Sequence, residues 1–185
     1  ELAPARDLVA KQAAVSQEVY ETYVKAYEKF LAAPKTTAVE ALTSNHYYVI
    51  RSAHPQMTGY VAQLKDGLVV PTKVEAPVTT DEDPSILWQL TRQEDGNFVL
   101  MNRADKKYGV VRNASAGESV VENSTPYAWH LRYRKSNDIS GFLIMAGTSN
   151  YGWYLPSNPV ATTRVSLKIA NQWNNYWKLE PTAIP

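Results

Sequence analysis

From His46 onward the hydrophobic and polar positions follow a strand-like period, and one arrangement of them returns three times. Each copy opens on an apolar run: Tyr47-Tyr48-Val49-Ile50, then Phe98-Val99-Leu100-Met101, then Phe142-Leu143-Ile144-Met145. Each copy closes on Trp-x-Leu: Trp88-Gln89-Leu90, Trp129-His130-Leu131 and Trp177-Lys178-Leu179. In an extended chain, Trp-x-Leu places two apolar side chains on one face and a polar one on the other. Self-similarity of this kind marks three imperfect copies of one supersecondary unit. The pattern predicts four short strands per copy. In the first they fall near 47–52, 59–64, 67–71 and 85–91. In the second they fall at 98–103, 108–111, 118–122 and 127–133. In the third they fall at 142–146, 152–155, 165–170 and 176–180. Gly96-Asn97 and Ser140-Gly141 precede the second and third openings, where tight turns belong. A closed barrel with a hairpin cap would bury the three openings and the three Trp-Leu pairs together.

Before residue 46 the period is helical. Leu8, Val15, Val19, Tyr23, Ala26 and Phe30 form one stripe, with Lys11, Gln12, Glu18, Glu21, Lys25 and Glu28 largely off it. This predicts a helix over 5–33, bounded by Pro4 and Pro34. Thr37 with Glu40 three residues later has the capping-box pattern, leading into Ala41 and Leu42, and predicts a short second helix. The expected organisation is therefore a helical hairpin or linker at 1–45, followed by an all-β domain at 46–185. The repeats of that domain span about 46–95, 96–139 and 140–181. The hairpin reads either as a connector to an upstream domain or as a cap packed on the barrel.

Three such repeats, opening on Tyr-Val-Ile-Arg or an equivalent and closing on Trp-x-Leu, resemble a β-trefoil. They are similar in particular to the ricin-type lectins, which carry Gln-x-Trp near each repeat end. Two residues before each Trp, where that family has Gln, this chain has Ile86, Tyr127 and Asn175. Ricin-type sites also use an Asp just after the second strand, and the resemblance places Asp66 at that point as a weaker candidate. Repeats two and three carry Arg112-Asn113 and Ser157-Asn158 there. The resemblance implies a β-trefoil that binds carbohydrate.

Composition narrows the remaining classes. At 185 residues the chain is one domain, or one with an appendage, and needs no disulfide or metal to bury a core. A net charge of +1 with scattered Lys and Arg gives no field for nucleic acid. No run approaches the roughly 18–20 apolar residues of a membrane span. With 0 Cys, thiolate metal sites and cysteine nucleophiles are excluded. The first residue is Glu1, with no signal peptide after it, which reads as a processed form or a piece of something longer. His46, His54 and His130 lack metal-ligand spacing. No nucleophile elbow, phosphate loop or zinc-protease motif is present. The expectation is no catalytic residues, no metal and no cofactor.

The surplus is aromatic, with 5 Trp and 12 Tyr against 3 Phe. Trp88, Trp129 and Trp177 occupy equivalent positions and read as core. Trp153, Tyr108 and Tyr60 read as a second shared position at the core or its edge. Trp173 has no counterpart. It stands in Asn171-Gln172-Trp173-Asn174-Asn175-Tyr176, with Tyr151 as a possible opposite wall. An indole stacks on the apolar face of a pyranose, and amides pair with its vicinal hydroxyls. The alternative for Trp173 is a loop residue folded over the barrel edge.

Two functions stay open. One is a non-catalytic carbohydrate-binding module of a secreted or surface protein, bacterial in type, taking a glycan or polysaccharide beside a neighbouring catalytic domain. Its site would be Trp173, Asn174, Gln172, Asn171 and Tyr151. The other is a structural or protein-interaction module of a larger protein that binds no sugar.

Overall fold

The computed structural model describes residues 19–25, 37–75, 83–135 and 139–183. The chain divides into two compact units, Glu1–Thr36 and Thr37–Pro185. In the first, residues 19–25 are helical, as the apolar stripe predicts, and the rest of the helix expected over 5–33 lies outside the described residues.

The second unit holds twelve strands among its described residues. Repeat one contributes β1 (His46–Ser52), β2 (Tyr60–Lys65), β3 (Leu68–Lys73) and β4 (Leu87–Arg92). Repeat two contributes β5 (Phe98–Asn102), β6 (Tyr108–Val110), β7 (Val121–Asn123) and β8 (Trp129–Lys135). Repeat three contributes β9 (Ser140–Ala146), β10 (Tyr151–Tyr154), β11 (Ser166–Ile169) and β12 (Trp177–Pro181). All twelve pattern-predicted strands are present, with ends shifted by a residue or a few. β4 starts at Leu87 because Asp83 caps a 3-10 turn at Pro84–Ile86, accepting from the Ser85 amide.

The first and last strands of the repeats close a barrel through antiparallel pairs β1–β4, β4–β5, β5–β8, β8–β9, β9–β12 and β12–β1. Closure leaves no open edge along the barrel wall. The second and third strands form hairpins β2–β3, β6–β7 and β10–β11 that cap one end. Where the hairpins meet, three valines exchange backbone hydrogen bonds in a ring. Val69 N–H donates to Val120 O at 2.9 Å, Val120 N–H to Val165 O at 2.9 Å, and Val165 N–H to Val69 O at 2.8 Å. All three are fully buried, and this ring marks the pseudo-threefold axis. It also explains why β7 is shorter than expected. Glu118 O accepts from Leu167 N–H, Val120 N–H donates to Val165 O and Val120 O accepts from Val69 N–H, so these residues bond the other two hairpins instead of β6.

The core follows the repeat pattern. Tyr48, Phe98 and Phe142 belong to one buried cluster with Ile50, Leu100 and Ile144, and the three Trp-Leu pairs join it. Each repeat-closing indole donates to a carbonyl on the second strand of its own repeat. Trp88 Nε1 bonds Ala62 O and Trp129 Nε1 bonds Gly109 O, both at 2.8 Å, and Trp177 Nε1 bonds Trp153 O at 3.2 Å. The acceptors show which residues correspond: Trp153 matches Ala62 and Gly109, not Tyr60 and Tyr108 as the aromatic letters led us to expect. The axis has room for one large ring there. Trp153 supplies it, standing edge-on to Trp88, Trp129 and Trp177 at centroid distances of 6.0, 5.5 and 6.1 Å. A Cβ on Gly109 would come within 3.2 Å of the Trp88 ring, so the close approach itself calls for glycine.

The expected second helix of a helical hairpin is absent. The capping box forms, with Thr37 N–H donating to Glu40 Oε2 at 2.6 Å and Glu40 N–H to Thr37 Oγ1 at 3.2 Å. It closes a single turn, Ala41 N–H to Thr37 O, before Asn45 adopts φ 61° and hands the chain to β1. A helix needs more than one turn to repay its nucleation cost. This turn belongs to the Thr37–Pro185 unit, and its Ala38, Val39 and Leu42 pack on the core. Arg92 fastens it through Nη2 to Val39 O at 2.6 Å, where β1 begins and β4 ends, opposite the hairpin cap.

Candidate functional site

The loop from Ala170 to Tyr176 runs between β11 and β12 and carries a 3-10 turn at Trp173–Asn175. Two of its four side-chain amides, Asn174 and Asn175, are committed to holding it. The Asn175 side chain is fully buried. It donates to Trp153 O at 3.0 Å and to Gly152 O at 3.4 Å, and accepts from Gln172 N–H at 3.4 Å. Asn174 Nδ2 donates to Leu155 O at 2.6 Å and to Ser157 Oγ at 3.1 Å, while the Asn174 backbone carbonyl accepts from Leu155 N–H. The loop is stitched to β10 and to the segment after it at both ends of the turn. Ordered amide contacts of this kind hold a platform in place before any ligand arrives.

What the turn presents outward is Trp173, 45% exposed. Its ring meets the edge of His54 at a centroid distance of 6.2 Å and an angle of 61°. His54 is buried, and its Nδ1 accepts from Gln56 N–H at 3.2 Å, which leaves the ring proton on Nε2. Asn171 and Gln172 are exposed beside Trp173 in sequence. Tyr151, at the start of β10, is half-buried and packs against the core. Of the expected set, Trp173, Gln172 and Asn171 thus offer exposed surface, Asn174 has its amide donor engaged by the protein, and Tyr151 leans on the barrel. Asp66 is exposed in the two-residue turn between β2 and β3, at φ 50° beside Gly67 at φ 78°. That turn needs two left-handed residues in succession, which Asp-Gly supplies.

Pattern reasoning missed His54. It arrives from the β1–β2 loop of repeat one, far from Trp173 in sequence, so no local signal pairs the two. Pattern reasoning also missed Arg51. The signal was present there, because the same strand position carries Met101 and Met145 in the other repeats.

Among the described residues, Glu40, Asp83 and Asp95 lie below the ordinary carboxyl range because backbone and side-chain hydrogen bonds from Thr37, Ser85 and Asn97 favour the charged form. Among the described residues no cluster of His, Asp and Glu has the arrangement to hold a metal ion.

The sequence matches no protein-family profile and no curated protein sequence. Solved structures do match. The Macrolepiota procera ricin B-like lectin, solved in complex with lactose, superposes with a TM-score of 0.62 at 17% identity, over 75% of this chain and 97% of that one. The Rhizoctonia solani agglutinin gives 0.61 at 20% identity, over 76% and 97%. A Clostridium perfringens endo-β-galactosidase that releases GlcNAcα1-4Gal gives 0.53 at 15% identity, over 74% of this chain but only 32% of the enzyme. The fold is a β-trefoil, as the repeat pattern led us to expect. At these identities the likeness carries the fold.

Proposed function

We propose that the Thr37–Pro185 unit is a non-catalytic carbohydrate-binding module, with Trp173 as its stacking platform. The observation that carries this reading is a half-exposed indole held on a turn whose neighbouring amides are already fastened to the barrel. The ring offers an apolar face, and Asn171 and Gln172 offer amide groups beside it. The shared fold with the lactose-bound Macrolepiota lectin supports the ligand class. The endo-β-galactosidase, of which the match covers about a third, supports a place beside a catalytic domain; a secreted or surface location is part of the same proposal.

A structural or protein-interaction role is the second reading, and Asn175 favours it. At the place where ricin-type lectins have Gln, this amide is fully buried and spent on the backbone of β10.

Titration against a broad panel of neutral glycans, followed by tryptophan fluorescence, separates the two. Binding in the range of roughly micromolar to millimolar is expected. Trp173→Ala should abolish it. No binding to any member moves the assignment to the structural module, and equal binding by Trp173→Ala moves the site elsewhere.

A further inference from the structure

The three junctions between repeats are built alike. At each, one residue of the opening strand sits opposite a polar residue of a closing strand: Met101 opposite Gln89, Met145 opposite His130, and Arg51 opposite Lys178. The same three residues face the second strand of their own repeats, Arg51 opposite Val61, Met101 opposite Tyr108 and Met145 opposite Gly152. The fold therefore uses methionine twice at a position where repeat one places a cation. Arg51 is only 3% exposed. Taking a guanidinium out of water is costly, and a barrel that accepts methionine at this position has no need of it.

Most of the Arg51 side chain is accounted for. Its Nε donates to Glu180 Oε1 and Oε2 at 3.0 and 2.9 Å. Its Nη1 donates to Val74 O at 2.9 Å and to Thr58 O at 3.3 Å, which ties the β1–β2 loop to the end of β3. Its Nη2 is buried and meets no acceptor among the described residues. A buried donor without an acceptor is a liability unless something else satisfies it. Arg51 also lines a concavity of about 670 Å³, together with Lys73, Lys178, Glu75, Glu180 and Tyr60. Three cations face two carboxylates there, which leaves an excess of one positive charge.

We propose that this concavity is a binding site for an anionic oxygen group, the carboxylate or sulfate of an acidic saccharide. Arg51 Nη2 supplies the buried donor, and Lys73 and Lys178 supply the charge that draws the anion in. Glu180 keeps the guanidinium fixed in plane, which suits it to an oxyanion. Because Nη2 is covered, an entering oxygen turns aside one of the exposed side chains at the rim. Only the saccharide source rests on the sugar-binding reading above; anion binding at Arg51 stands without it.

The test is an NMR titration of backbone amides at low salt with three probes: sodium sulfate, digalacturonate and neutral lactose. Sulfate and digalacturonate should shift residues 51, 59–60, 73 and 178, with binding that weakens as sodium chloride is added. Lactose should leave these residues unmoved. Arg51→Met, the residue the other repeats already use, should weaken both anions by at least about tenfold while the spectrum stays dispersed. If Arg51→Met does not fold, Lys73→Ala/Lys178→Ala decides, since it leaves every Arg51 contact in place and should still weaken both anions. Unchanged anion affinity in the variants, no shift with either anion, or equal shifts with lactose overturns the proposal. Sulfate binding without digalacturonate binding overturns the saccharide source. The Trp173 indole signal, followed in the same titrations, reports the other site, so failure of one reading is visible apart from failure of the other.

Discussion

Trp129 and Trp173 are the same side chain on the same barrel, fully buried in one case and 45% exposed in the other. Trp129 sits where every repeat has a tryptophan, donates to a backbone carbonyl and packs edge-on against Trp153. Trp173 sits where no other repeat has one, on a turn that the barrel holds from beneath. The contrast separates what the threefold plan demands from what a single repeat adds. Residues repeated three times make the core. Residues present once depart from that plan in different ways: Trp153 breaks the symmetry of the axis, Arg51 puts a buried cation where the other repeats have methionine, and Trp173 faces outward.

The largest test of that division is Trp129→Ala. Truncating a large buried aromatic costs roughly 3–5 kcal/mol, a substantial part of a domain stability of about 5–15 kcal/mol. Denaturant melts should show a loss in that range. A variant within about 1 kcal/mol of the parent would mean that the repeated tryptophans do not carry the core.

Gly109→Val tests the asymmetry of the axis. Its new side chain would press on the Trp88 ring at 3.2 Å and on Trp153 at 3.6 Å. Overpacking of this kind costs typically about 1–3 kcal/mol. Trp153→Ala alone should cost roughly 3–5 kcal/mol, and the double variant should lose less than the sum of the two single losses, because removing that ring frees space beside residue 109. A neutral Gly109→Val would show that the axis holds more than one large side chain.

These two positions also show how far the sequence reaches. The three openings and the three Trp-x-Leu closings were legible because core faces repeat with the strand period and only one closure buries them together. The Trp153 equivalence was not legible. Aligning aromatic letters put it with Tyr60 and Tyr108, while the strand register aligns it with Ala62 and Gly109, and register depends on loop lengths that differ between repeats. The second helix failed for a different reason. The Thr37–Glu40 capping box is a local signal and did form, but Asn45 and β1 follow too soon for a helix to propagate. At the candidate site, Trp173 stood out through its amide neighbours. Its partner His54 and the use of Asn174 and Asn175 as fasteners depend on contacts distant in sequence.

At the rim, hydrogen bonds to exposed groups should matter less than burial at the axis. Hydrogen bonds from the Ser85 side chain, then from Ser85 N–H and, least, from Gln63 Nε2 hold the Asp83 carboxyl below the ordinary range. A folded-state pKa below the unfolded one contributes stability that is present above the unfolded pKa, near 3.9, and is lost as pH falls through the folded value. Asp83→Asn keeps an acceptor oxygen but cannot titrate. The advantage of the parent over this variant should therefore shrink on acidification from about pH 6 to about pH 2. Solvent screening keeps the whole effect below about 1 kcal/mol. A stability difference that does not change with pH would show that the Asp83 carboxylate contributes nothing specific.

The smallest expected effect on stability belongs to Trp173→Ala, and its smallness is the sharpest statement of the comparison. The loop does not depend on the indole. Asn175 bonds the β10 carbonyls, Asn174 bonds Leu155 and Ser157, and the turn closes through Asn175 N–H to Gln172 O and Tyr176 N–H to Trp173 O. Each of these survives truncation at Cβ, since the last uses only the backbone of residue 173. The loss is the edge contact with His54 and the cover that half a ring provides, worth on the order of 1 kcal/mol or less. Melting temperature should shift by only a few degrees, in contrast to the collapse expected of Trp129→Ala, while titration shows glycan binding gone. A Trp173→Ala variant that unfolds, or loses several kcal/mol, would place this indole with Trp129 as a structural element and remove the loop's claim to a ligand.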